Sequence, residues 1–166
     1  MPDQSAPDVR DYRRTMGLFA TGVSVLITVR DSGEPVGMTA NAITSVSLDP
    51  LLLLVCVGKD ANLAPILLEK STFTLSFLRA SQGDVSDLFA GRLNGDPPPV
   101  AFEPFGGGVR LSDCLGAVTC AQRDVCDGGD HWIVIARVTD LYCADDTSDP
   151  LIFFGGGYQR LDSPAE

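Results

Sequence analysis

His131 is the only histidine of the chain. It stands in "GGDHWIVIARV", residues 128–138, after a Gly-Gly-Asp turn and at the mouth of an apolar run. A histidine so placed either packs at a strand end, the usual fate of a lone one, or offers a ring nitrogen to a ligand. A single histidine excludes a multi-histidine metal site. A Ser-His-Asp triad would need His131 as its base, and no GxSxG elbow occurs. The carboxylates are scattered, and no two stand out as a glycosidase-type acid and nucleophile. Cys114, Cys120 and Cys126 are spaced by six and no CxxC pair exists, which is not zinc-ligand spacing. Residues six apart on one strand share a face, so these thiols read as packing groups along a long strand. No metal is expected.

Four other stretches could hold a ligand. "GMTANAITSVS", residues 37–47, sets Thr39, Asn41, Thr44, Ser45 and Ser47 among small apolar residues. Small side chains let a planar ligand approach the backbone, whose N–H groups and hydroxyls bind phosphate or ring carbonyls. On alternation alone the segment is equally an edge strand with a polar face. "DAN", 60–62, precedes a helix start, where free N–H groups suit an anion or Asn62 simply caps. "FAGR", 89–92, places Arg92 either for a phosphate or at a helix C-terminus. "FFGGGYQRL", 153–161, sets three glycines before Tyr158, a turn that serves close ligand approach or positive φ equally well. GxGxxG and GxxxxGK[ST] are absent, and the two GGG runs lack a strand-to-helix context.

The elements that must position these groups are mostly strands. Residues 8–19 read as a short amphipathic helix with Asp8 as N-cap and Tyr12, Met16 and Phe19 on one face. "GVSVLITVR" is a β-branched strand, and 36–48 continues as extended chain until Asp49-Pro50. "LLLLVCVG", by its unbroken apolar character, reads as buried on both faces. "NLAPILLEK" is a helical turn or two, with Asn62 as cap. "TFTLSFL" is a strand. "SQGDVSDLFAG" is a short helix stopped by Gly91. "RLNGDPPPVAFEPFGGG" reads as loop. Two long strands flank "DGGD" as a hairpin. "PLIFF" is a last strand, followed by a glycine turn. There is no βαβ rhythm, so an antiparallel barrel or sandwich follows.

The 166 residues fit one domain. The formal net charge of -10 argues against nucleic acid, which needs clustered Lys and Arg, and against anionic membrane surfaces. No run reaches the length of a membrane span. "MPDQSAPDVR" reads as a polar leader without a signal peptide. Five cysteines, an odd number, suit a reducing cytoplasm.

In this order, "FATGVSVLIT", "GMTANAITSVSLDPLLLLVCV", "DLFAG", "GGDHWIVIARV" and "DPLIFFGGGYQRL" resemble the flavin reductase family of FMN-binding split barrels. The likeness runs from about residue 12 to 161 and is nearest to reductase components of two-component flavin-dependent monooxygenases. The second and fourth segments are specific in combination. The resemblance implies a mainly β fold: an antiparallel six-stranded split β-barrel of Greek-key type with short flanking helices. Its organisation would be a leader over 1–10, one domain over 11–161 and a tail over 162–166. It implies a homodimer that oxidises NADH or NADPH, reduces FMN or FAD, and supplies reduced flavin to a separate oxygenase. The alternative within the same fold keeps its flavin bound, as an electron carrier or oxidase. For the flavin it nominates Thr39, Ala40, Asn41, Ala42, Ile43, Ser45 and Val46, with Asp60, Ala61 and Asn62 on the phosphate side and Phe89 and Arg92 near the same ligand. His131 is the catalytic nomination, contacting the nicotinamide nucleotide beside Gly155, Gly156, Gly157 and Tyr158. Three departures from the family pattern stand out: "DPLLLL" for paired prolines, Ala136 for a glycine, and the Pro- and Gly-rich loop 92–108. By alternation Trp132 should face away from His131.

Overall fold

The computed structural model describes residues 6–146 and 148–161. Helix α1 (Val9–Met16) is capped as expected: the Asp8 carboxylate accepts from Asp11 N–H at 2.7 Å. It begins inside the expected leader, so the boundary at residue 11 cuts a helix. The rest of the leader and the tail 162–166 lie largely outside the described residues. Tyr12, Met16 and Phe19 do not pack down as an amphipathic face would. They are exposed.

Then follow β1 (Thr21–Gly22), β2 (Ser24–Val29), β3 (Pro35–Ala40), β4 (Ile43–Leu48), β5 (Leu51–Gly58), α2 (Ala64–Glu69), β6 (Thr72–Phe77) and α3 (Gly83–Phe89). The C-terminal half adds β7 (Phe102–Phe105), β8 (Gly108–Leu111), β9 (Gly116–Asp127), β10 (His131–Cys143), β11 (Ile152–Phe154) and β12 (Gly157–Gln159). Seven strands form one antiparallel sheet in the order β3-β2-β6-β9-β10-β5-β4. Six were expected. The difference arises because residues 36–48 are not one extended segment: Asn41 and Ala42 interrupt it. The first part pairs with β2 and the second with β5. The two ends of the sheet are therefore two residues apart in the chain, so the sheet must curl until they meet. Among the described residues no ladder joins β3 to β4, and the sheet is not closed.

The inside of the curl holds one core. Leu26, Ala40, Val55, Val57, Leu75 and Val134 meet there, and Leu63, Ala64 and Leu67 of the α2 segment plug it. Leu63, not Asn62, occupies the cap position of α2, and no side chain caps it. A second core lies outside β2, where Val25 and Ile27 meet Val85, Leu111 and Leu151. Strand β2 is thus buried on both faces, as are the middle of β6 and the first half of β9. Strand β5 alternates, with Leu53, Val55 and Val57 inside and Leu52, Leu54 and Cys56 half-buried outside. Its apolar run is continuous because the outer face forms the floor of a hollow.

Two loop readings change. Residues 102–111 form a hairpin, β7–β8, whose turn places Gly106 and Gly107 at φ 56° and 80°. Left-handed glycines at both turn positions suit a two-residue hairpin. This hairpin covers the hydroxyl face of β6: Ser76 Oγ accepts from Leu111 N–H at 3.1 Å, and Thr74 and Thr119 share a bond at 3.1 Å. Arg110, buried, pairs with Glu103, donates to the Leu111 carbonyl at 2.9 Å and lies 3.5 Å from the Tyr142 ring centroid. The final GGGY region is also a hairpin, β11–β12, which joins β1 in a separate three-stranded sheet.

Cys120 and Cys126 do not share a face. The β9–β10 ladder shifts register where Arg123 is left unpaired, and one extra residue inverts the alternation beyond it. Cys120 is fully buried, which pushes its thiol up to about 12, while Cys126 is exposed and Cys114 precedes the strand.

A Cβ at Gly106 would sit 2.6 Å from Thr119 Oγ1, whereas one at Gly107 meets open space. The left-handed conformation alone costs roughly 1–2 kcal/mol for an alanine. Gly107→Ala should therefore lose about that much in urea unfolding, and Gly106→Ala at least ~1 kcal/mol more from overpacking.

Candidate active site

All four of the candidate ligand-holding stretches converge on a hollow of about 880 Å³. Strand β3 supplies Gly37, Met38 and Thr39. The segment after β5 supplies Asp60, Ala61 and Asn62. Helix α3 and its exit supply Phe89 and Arg92, and the last hairpin supplies Phe153 and Tyr158. Local chemistry explains the closeness of α3 and β3. A Cβ at Gly37 would lie 3.0 Å from the Phe89 ring and from Val25, so glycine admits the helix. Thr39 Oγ1 then donates to the Ser86 carbonyl at 2.6 Å. Gly91, at φ 65°, turns the chain after α3 and releases Arg92 toward the hollow.

Tyr158 locks this wall. Its hydroxyl bonds Ser86 Oγ at 2.8 Å and the Asp87 carboxylate at 2.7 Å, and Arg92 donates to it at 3.3 Å. Arg92 also lies 3.5 Å from Asp87. Burial pushes the Tyr158 hydroxyl up, keeping it a protonated donor. Its ring meets Phe153 edge-on at 6.0 Å. Gly155 and Gly156 adopt positive φ in the turn, and Tyr158 lines the hollow rather than the core interior. Gly157 belongs to β12 and lines neither of the hollows described here.

A second hollow, about 1030 Å³, adjoins the first and shares Asn41, Arg92 and Phe153 with it. Its walls are Met16 and Phe19 near α1, Ala42, Ile43 and Thr44 at the start of β4, Leu54 and Cys56 of β5, and Gly155 and Gly156. Arg13, Arg14 and Arg92 line it, and among the described residues no carboxylate does. In a chain with 22 acidic and 12 basic residues, the lining is locally basic, although Asp11 stands beside Arg14 and Asp87 beside Arg92. Asn41 Nδ2 donates to Thr21 Oγ1 at 3.2 Å and so ties the β3–β4 break to β1.

His131 lines neither hollow but continues the floor of the second. It pairs with Gly58 across the β10–β5 ladder. Gly58 follows Leu54 and Cys56 at spacing two, so His131 stands on their face. A Cβ on Gly58 would be 3.0 Å from Asp60 Oδ1 and 3.8 Å from His131 Nε2. The imidazole Nδ1 is 2.7 Å from Asp130 Oδ1. That bond, helped by the charge of Arg13, holds the Asp130 carboxyl below its usual range. Trp132 faces the other way, as alternation requires, and packs on the inner core. Lys59 fastens the hairpin tip: its Nζ lies 2.7 Å from Asp127 Oδ2 and 4.5 Å from the Trp132 ring centroid, and its N–H donates to the Asp130 carbonyl at 3.0 Å.

Some nominated residues are not brought together. Ala40 is buried in the core, and only its backbone serves, accepting from Ser24 Oγ at 2.9 Å. Ser45 and Val46 lie further along β4 and line neither hollow; Val46 is the unpaired residue of a bulge. Asp60–Asn62 precede rather than form the start of α2, so no helix terminus faces a ligand from that segment. Sequence reasoning missed Arg13, Arg14, Ser86, Asp87 and Phe153. For the arginines the signal was their adjacency in a chain poor in bases.

The flavin reductase like domain matches residues 16–162. A probable flavin reductase of Rhizobium meliloti is 38% identical over 133 residues, 80% of this chain, and the chain spans only 43% of that relative's length. The reductase component of a Thermus thermophilus 4-hydroxyphenylacetate 3-monooxygenase is 35% identical, with 93% of this chain and 97% of that one covered. A Streptomyces globisporus NADH:FAD oxidoreductase, solved in complex with NAD and FAD fragments, superposes with a TM-score of 0.86 at 33% identity over 99% of each chain.

Tyr158→Phe removes the donor to Asp87 and Ser86. It should cost about 1 kcal/mol in urea unfolding, the usual net worth of a part-buried hydrogen bond.

Proposed function

The chain belongs to the flavin reductase like domain family, and on that premise we propose that it is an NAD(P)H-dependent flavin reductase. Its substrates are NADH or NADPH and FMN or FAD, and its product, reduced flavin, goes to a separate flavin-dependent monooxygenase. The observation that carries this reading is the pair of joined hollows with apolar walls, guanidinium groups and His131 at one end. Their volumes, about 880 and 1030 Å³, reach the upper end of cofactor sites, roughly 300–1,000 Å³. Small residues at the β3–β4 break admit a flat ring, hydroxyls and amides meet its polar edge, and arginine meets phosphate. These residues fit a flavin beside a nicotinamide nucleotide.

The chemistry supplied by the bound pair is hydride transfer between two stacked rings, which needs no acid or base from the protein. The protein's part is placement. The backbone from Thr39 to Ile43 borders the ring, and Arg92, braced by Tyr158 and Asp87, takes the flavin phosphate. Asp60 suits a ribityl hydroxyl, because a carboxylate would repel phosphate. The Asp130 carboxylate holds His131 Nδ1, which leaves Nε2 to hydrogen-bond the nicotinamide nucleotide and set its pose. Phe153, which lines both hollows, shields the wall between them.

The finer fold reading counts Pro35–Leu48 as one barrel strand broken at Asn41–Ala42. The sheet is then a six-stranded split barrel with its seam at the site. The exposed Tyr12, Met16, Leu18 and Phe19 support a homodimer, since clustered apolar side chains of this kind are costly in water. Among the described residues no helix is long and apolar enough to cross a membrane.

Purified protein should oxidise NADH or NADPH only when FMN, FAD or riboflavin is added. Colour retained through gel filtration would instead mark a bound-flavin protein, and no turnover with any pair would end the reductase reading. His131→Ala should raise the KM for the nicotinamide nucleotide about tenfold, the worth of one hydrogen bond, with the flavin KM little changed. Equal rises for both substrates would count against the role given to His131.

A further inference from the structure

We infer that Arg13 of α1, with Arg14 beside it, binds the pyrophosphate of the nicotinamide nucleotide, so that α1 is part of the binding site. This rests on the reductase reading above. The three arginines of α1 are not equivalent. Arg10 lies 3.9 Å from Asp8 and Arg14 lies 3.3 Å from Asp11. Arg13 has no carboxylate within ion-pair distance among the described residues, and it lines the second hollow. It nevertheless stands near enough to the Asp130–His131 pair for its charge to be felt by Asp130. Arg13 thus lines the hollow whose floor continues to His131.

Charge gives the direction of the argument. Of the three guanidinium groups lining the hollow, Arg14 is offset by Asp11 and Arg92 by Asp87, so the uncompensated charge is that of Arg13. An anionic ligand supplies the missing charge, and a guanidinium fork matches two phosphate oxygens at once. Other arginines of the chain are placed elsewhere. Arg123 pairs with Asp124 at 3.3 Å, Arg160 borders a separate surface hollow with Arg79, and Arg137 lines neither site hollow. Arg92 sits at the junction of the two hollows, on the flavin side. That leaves Arg13 for the second phosphate group.

The test uses ADP-ribose, which carries the pyrophosphate without the nicotinamide, titrated by calorimetry into flavin-free protein. Arg13→Gln should weaken its binding about tenfold and raise the KM for NADH similarly, with the flavin KM changed less than about twofold. Arg10→Gln, on the same helix but outside the hollow, should behave as wild type in both. Circular dichroism checks that α1 survives. Wild-type ADP-ribose affinity in Arg13→Gln, no binding to the wild type, or equal rises in the two KM values would overturn the inference. Wild-type protein without any flavin reduction would instead sink the underlying reading.

Discussion

The break at Asn41–Ala42 is the constraint on which the rest depends. Backbone hydrogen bonds commit β3 to β2 and β4 to β5, the two far neighbours of the sheet order. Two residues of chain cannot span a flat seven-stranded sheet, whose strands lie roughly 4.7–4.9 Å apart. The sheet must curl, and the curl creates both the inner core and the seam. The seam is where backbone is left without a strand partner across it, and both hollows meet there at Asn41. Fold and site thus share one cause.

The elements around the seam are held by short polar contacts rather than by bulk. Thr39 reaches the Ser86 carbonyl, Tyr158 reaches Ser86 and Asp87, and Arg92 reaches Tyr158. The chain links β3, α3 and the last hairpin. Lys59 does the same for the tip that carries His131. Such contacts are worth little singly, but they fix angles that apolar packing leaves loose. Away from the seam, the β7–β8 hairpin lets β6 bury hydroxyl groups, each of which finds a partner beneath it.

The formal charge of -10 looks unsuited to anionic ligands. The distribution resolves the conflict. Carboxylates dominate the surface, while the second hollow is lined by arginines alone among charged groups. Long-range attraction gains little from this, but a ligand already at the mouth meets a local positive site of low polarity, where charge interactions are stronger.

Much of the β architecture was legible from the residues. Alternation, turn glycines and the Asp8 cap marked the α1 start and most strands, because these signals act within a few residues of chain. The motifs around Asn41, His131 and Tyr158 marked the family and nominated the candidate site. What sequence could not determine was whatever one distant partner decides. The extra residue at Arg123 turns Cys126 away from Cys120, and only the register of β9 against β10 shows it. Arg13 looks like an ordinary helix-surface arginine until α1 and β5 are seen to line one hollow. The 102–111 segment reads as loop because its Pro and Gly content is locally breaking, yet the hydroxyl face of β6 stabilises it as a hairpin. Local sequence sets which φ and ψ values are cheap. Tertiary pairing decides which faces meet and which charges are left to bind something else.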